Sequence, residues 1–267
     1  MQVQVAFGHV CGWQSLLAHE RAEGGWPRRK ALIASWRRAT LHSADDLSIA
    51  EDTFFGRETE LGTLERFLES GRRLVTLVGP PGMGKTRLAQ RVIERRAARG
   101  VASVFVDLAT AKTLSDLVHG VATALGIANR DLVDAKLGSA LAESGASLMV
   151  LDNLEALIDV VAGELQRWLA AAPALRLVVT SRIRVGSRAE TILEVGPLGH
   201  EAALALMDHT ARLHHESLPL PPEERRALSQ LVDRLDGLPL ALELAAARTR
   251  SCGRHRSSSG WTTGSSS

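Results

Sequence analysis

The chain has 267 residues, 45% hydrophobic and 23% charged, with a formal net charge of +2. This suits a globular protein of one large domain or two modest ones, and the charge is too small by itself to mark a nucleic-acid or membrane-surface binder. Cys11 and Cys252 stand at opposite ends without metal-ligand spacing, which favours free thiols over a disulfide framework, and no apolar run approaches the roughly 18 to 20 residues of a spanning helix.

The first residues, MQVQVAFGHVCGW, lack the basic start and apolar core of a signal peptide, so a cytoplasmic protein is expected. Residues 1–51 read as an N-terminal extension. Within it, Arg28 to His42 places Leu32, Trp36 and Ala39 on one helical face, and its basic residues read as a solvated face. Phe54 to Leu61, FFGRETEL, then leads into a helix. Leu61, Leu64 and Leu68 repeat at helical spacing, and Gly71 is its expected stop.

Residues 74–90, LVTLVGPPGMGKTRLAQ, carry the most information in the chain. Leu74 to Val78 reads as a buried strand, and Arg87 to Gln90 opens a helix that continues to Arg99. Between them, Gly79-Pro80-Pro81-Gly82-Met83-Gly84-Lys85-Thr86 fits G-x-x-x-x-G-K-[ST], the phosphate-binding P-loop. The glycines let successive N–H groups curl toward an anion, and the following helix adds its N-terminal dipole. Lys85 is expected between the β- and γ-phosphates of ATP, and the Thr86 hydroxyl on Mg²⁺. These residues and Arg87 are the candidate nucleotide contacts.

A second strand is expected over Val101 to Leu108, with helices near Leu114 to Leu125 and Asp131 to Glu143. Ser147 to Asn153, SLMVLDN, reads as a buried strand ending in an acid. Such an acid lies beside the P-loop in a parallel sheet, so Asp152 is the expected Mg²⁺ partner of Thr86. A helix follows over Ala162 to Ala171, then strands over Leu175 to Thr180 and Thr191 to Val195. Strands alternating with helices predict an α/β fold with a parallel sheet of five strands, spanning residues 52–196. From Pro197 the pattern becomes wholly helical. Leu204, Met207 and Ala211 mark one face, and Leu228, Leu231, Val232 and Leu235 another. Pro239 opens a last helix over Leu240 to Ala247. Residues 197–250 are therefore expected to form a small helical subdomain. The serine-rich residues 251–267 are expected to be disordered.

FGRETEL (55–61), GPPGMGKT (79–86), LMVLDNLE (148–155), VVTSR (178–182) and GLPLAL (237–242) occur in this order. Together they resemble the STAND class of signal-transduction ATPases, which includes the NB-ARC ATPases and many bacterial transcription regulators; the sheet core is of the ASCE/AAA+-like P-loop type. The resemblance covers roughly residues 52–250. It implies an ATP/ADP switch with slow Mg²⁺-dependent hydrolysis, and a protein partner or self-association on activation. It also implies that Phe55, Gly56 and Arg57 lie against the adenine, that Arg182 senses the γ-phosphate, and that Pro239 touches the nucleotide from the helical subdomain.

This chain departs from the class where a second acid often follows the Walker B Asp. Asn153 stands there and cannot accept a proton, so either Glu155 substitutes as base or Asn153 orients the water. The candidate catalytic set is thus Lys85, Asp152, Asn153, Glu155 and Arg182. The class continues into a winged helix and effector or repeat domains, so the chain is expected to be a truncated member. Two other readings remain: a module that holds nucleotide without turnover, and an AAA+-like ATPase acting on DNA, as origin-recognition ATPases also carry a G-R-E element. Direct nucleic-acid binding is not supported by the charge pattern, and no membrane association is expected.

Overall fold

Five apolar runs become five strands of one parallel sheet: β1 (Leu74–Val78), β2 (Ser103–Asp107), β3 (Leu148–Asp152), β4 (Arg176–Ser181) and β5 (Glu190–Glu194). The computed structural model describes residues 54–127, 134–214 and 222–252, all within the unit Asp46–Ser267. The expected helix at Arg28 to His42, the serine-rich tail beyond Cys252, and the expected helix start at Asp131 lie outside the described residues.

The strand order is β2-β3-β4-β1-β5, with every neighbouring pair parallel. All five residues of β3 are buried. A parallel sheet covered by helices on both faces requires such a run. The helices are α1 (Glu58–Glu69), α2 (Lys85–Ala98), α3 (Leu114–Ala124), α4 (Asp134–Ser144) and α5 (Ile158–Ala171). Leu61, Leu64 and Leu68 of α1 and Leu88 and Val92 of α2 pack with Val75, Leu148, Val150 and Val178 in one core. Met149 and Leu151 alternate to the opposite face and are equally buried, as are Leu117, Leu165 and Trp168 of α3 and α5. Arg73 donates to the carbonyls of Leu169 and Ala172, each at 2.6 Å, and so satisfies the C-terminal end of α5.

The expected helix at Ala162 to Ala171 starts earlier. A 3₁₀ turn, Leu154–Leu157, follows β3 directly and passes into α5 at Ile158. Burial of Leu154 and Leu157 holds that turn on the sheet.

Beyond β5 the chain is helical, with α6 (His200–His214), α7 (Pro222–Arg234) and α8 (Pro239–Cys252). Pro239 takes the first helical position of α8, where its missing N–H costs nothing. Leu198, Leu206, Met207, Val232 and Leu242 form a second apolar cluster. Phe55 packs against this cluster from in front of α1. The segment preceding the sheet is thereby an anchor for the helices that follow it. Among the described residues no helix is long and apolar enough to cross a membrane.

Candidate nucleotide-binding site

The loop between β1 and α2 turns through left-handed backbone at Gly82 (φ 78°) and at Gly84 (φ 84°), the N-cap of α2. A side chain would be strained at both. The loop thus presents the start of α2 to a cavity of about 260 Å³ lined by Gly82, Lys85, Thr86, Asn153, Glu155, Arg182, Pro239 and Glu243, among others. The structure therefore brings the candidate catalytic residues Lys85, Asn153, Glu155 and Arg182 to one place. Pro80 and Pro81 are exposed on the loop.

Lys85 is buried, and its ammonium donates to the carbonyls of Gly79 at 2.8 Å and Pro80 at 2.9 Å. Burial lowers its pKa; Glu155 opposes the shift and Arg182 adds to it. A polyphosphate here would favour the charged form.

The strand order explains Asp152. β4 lies between β1 and β3, so Thr180, level with Leu77 of β1, comes to the acid ending β3. Thr180 donates to Asp152 Oδ1 at 2.5 Å. The Thr86 hydroxyl meets both carboxylate oxygens at 2.9 and 3.0 Å. Burial raises the Asp152 pKa above its ordinary value, with Asp107 and Glu155 adding to the rise, and the two hydroxyls only partly offset it. A buried carboxylate beside a hydroxyl fits Mg²⁺, which takes one or two protein oxygens and completes its shell with water and phosphate. Among the described residues no group of three or more His, Cys, Asp or Glu could hold a metal by itself. Thr86 and Asp152 would be its protein ligands.

Asn153 adopts the left-handed region, φ 61° and ψ 50°, which Asn tolerates better than most residues. Its backbone N–H donates to Thr180 Oγ1 at 3.0 Å. Arg182 is exposed, and its Nε stands 3.4 Å from Glu155 Oε1. Glu155 is thus engaged with the γ-phosphate sensor that the resemblance implied.

The 55–57 segment lies beside the phosphate loop. Arg57 is turned inward. It is 5% exposed, pairs with Glu60 at 2.6 Å, and donates to Met83 O at 3.1 Å and Gly196 O at 2.5 Å. It ties the phosphate loop to the start of the helical segment. Phe55 meets the His209 ring at 5.4 Å, and Gly56 lies against Ala202. A small cavity of about 30 Å³ remains between Phe55, Arg57, Met83, Leu198 and Pro239.

The helical segment touches the loop directly. The Leu240 N–H reaches Gly82 O, and a Cβ at Gly82 would sit 2.9 Å from the Leu240 Cβ. Arg87 pairs with Glu243 of α8 at 2.6 Å across the cavity mouth. Sequence reasoning missed Thr180, Asp107, Leu240 and Glu243. Thr180 lay inside the VVTSR motif, but only the strand order reveals its partner.

Residues 68–186 match the AAA domain family. An uncharacterized protein of Mycobacterium tuberculosis is 34% identical over 202 residues, which cover 74% of this chain and 51% of that protein. A second protein of that organism, named provisionally as an HTH-type transcriptional regulator, is 34% identical over 191 residues, covering 70% of this chain and 21% of its own length. The chain thus spans about half the length of the first relative and about a fifth of the second. In structure it is similar to the Aeropyrum pernix ORC1 protein, solved in complex with DNA, at a TM-score of 0.57 and 20% identity, covering 77% of this chain and 62% of that one. That likeness shows the fold. The matched residues, 68–186, include the P-loop and the acid ending β3.

Proposed function

We propose that this AAA-type domain works as a nucleotide-dependent regulatory switch of the STAND signal-transduction kind, binding ATP or ADP and hydrolysing ATP slowly with Mg²⁺. The observation that carries the reading is the seat of α8 on the phosphate loop through Leu240 and Gly82. A helix resting on the loop that holds the phosphates reports their presence by its position. Mg²⁺, when bound, supplies charge neutralisation at the phosphates. Lys85 holds their charge, Thr86 and Asp152 hold the ion, Pro239 covers the nucleotide, and Arg182 distinguishes ATP from ADP.

In this reading residues 52–196 are the nucleotide domain and 197–250 the moving cover. The protein works in the cytoplasm and hands its state to a protein partner or a second copy. The relative named as a transcriptional regulator supports a regulatory role.

Calorimetry with ADP and ATP on the wild type and Lys85→Ala tests it. Loss of most affinity in Lys85→Ala is the expected result, and near-equal affinities overturn the site. ADP at a hundredfold excess over Kd should stabilise the wild type by about 2.7 kcal/mol. Asn153, with no proton-accepting group, favours a second reading in which nucleotide is held without turnover. A single-turnover assay separates the two.

A further inference from the structure

β2 runs beside β3, and Asp107 at its end is level with Asp152. The amide nitrogen of Asn153 lies between these two acids, 3.3 Å from Asp107 Oδ1 and 3.1 Å from Asp152 Oδ2. Carboxylates accept and an NH₂ group donates, so these neighbours determine which arm of the amide is nitrogen. The nitrogen arm is thus taken by the two acids, and Asn153 lines the phosphate cavity. The frame is rigid. Asp107 Oδ1 also accepts from the Ala109 N–H at 2.9 Å. The Asn153 backbone donates to Thr180, which itself donates to Asp152.

We propose that Asp107 is a positioning residue that holds the Asn153 amide so that its oxygen faces the phosphates and orients the attacking water. The proposal rests on the hydrolysing form of the function above. In that reaction the water oxygen bonds to the γ-phosphorus and the bridging P–O bond breaks with its electron pair on ADP. The water proton leaves to a phosphate oxygen. Asn153 takes no proton and only accepts a hydrogen bond. Phosphoryl transfer depends mainly on such positioning, so an amide serves where an acid is absent. Glu155 is engaged instead with Arg182.

The test is a double-mutant cycle between Asp107 and Asn153 in the full chain. Asp107→Ser keeps a hydroxyl for the Ala109 turn but is too short to reach Asn153. Asp107→Asn keeps the shape and can still accept. Single-turnover ATP hydrolysis should fall about tenfold in Asp107→Ser and in Asn153→Ala, the scale of one lost hydrogen bond to a charged group, and less in Asp107→Asn. ADP affinity should be unchanged in all three. The double variant should be no slower than Asn153→Ala, because the two act as one unit. In the nucleotide-free protein the Asn153 side-chain amide resonance should move in Asp107→Ser.

Additive losses, unchanged turnover in Asp107→Ser, an unmoved resonance, or ADP affinity falling in step with turnover each overturn the proposal. So does a wild type that binds ADP yet turns nothing over, which leaves the nucleotide site standing. Failure of Lys85→Ala to weaken binding removes the site itself.

Discussion

The backbone N–H of Leu240 donates to the carbonyl of Gly82 at 3.2 Å. That bond joins the first turn of the last described helix to the loop that would hold phosphate. Three residues on, Glu243 pairs with Arg87, the residue after the P-loop threonine. One helix thus sets both a backbone donor and a carboxylate against the nucleotide site.

Glu243→Gln should tighten ADP binding by severalfold. The carboxylate lines the phosphate cavity and occupies Arg87; its removal eliminates a like charge and frees a cation. Half-exposed ion pairs are worth about 0 to 1 kcal/mol, so thermal stability without nucleotide should barely move. Weaker ADP binding by calorimetry contradicts this placement.

Arg182→Ala should separate ATP from ADP. The side chain is exposed at the cavity and its only described ionic partner is Glu155. Loss of a charge-assisted hydrogen bond is worth about 1.5 to 3 kcal/mol, so ATP affinity should fall roughly ten- to a hundredfold while ADP affinity holds. Equal weakening of both nucleotides removes Arg182 from the γ-phosphate.

Asp152 carries the pH dependence. Burial raises its folded-state pKa above the ordinary 3.8, so the folded state holds this proton more tightly than the unfolded chain. Its contribution to stability is full below that ordinary value and is lost as pH rises through the folded value. Mg²⁺ needs the ionised form, so its effect on the melting temperature with ADP should fade on acidification, starting at a higher pH than an ordinary Asp would give. Asp152→Asn should remove the Mg²⁺ effect at every pH and leave metal-free ADP binding largely intact. An equal loss with and without Mg²⁺ means that the acid is no ligand.

Arg57→Ala should cost about 1 to 3 kcal/mol in chemical denaturation, because it leaves two part-buried carbonyls and the Glu60 carboxylate without their donor. Met83 and Gly196 are the carbonyls concerned. Arg57→Lys should recover only part, since an ammonium lacks the planar fork that reaches three partners. A loss below 1 kcal/mol for Arg57→Ala places the tie between loop and helical segment elsewhere.

What could be read from the sequence was local in the chain. The P-loop is contiguous, so its glycines, Lys85 and Thr86 declare their geometry through near neighbours. The central strands β1, β3 and β4 are short apolar runs because the sheet is buried on both faces there, whereas edge strand β5 is only half-buried. Pro239 marks its helix because an N1 proline needs no partner N–H. The parallel sheet and the later helices follow from these patterns.

Tertiary structure decided what lies beside what. Periodicity tells which way a residue points in its own element, not which strand stands next to it. Only the order β2-β3-β4-β1-β5 brings Thr180 and Asp107 to Asp152 and Asn153, from positions 28 and 46 residues away in sequence from their hydrogen-bond partners. Arg57 joins the carbonyls of Met83 and Gly196, which are 26 and 139 residues away in sequence. The contact of Leu240 with Gly82 and the pairing of Glu243 with Arg87 depend on how one helix packs against a distant loop. Such contacts arise from the packing of whole elements, and no local pattern of residues encodes them.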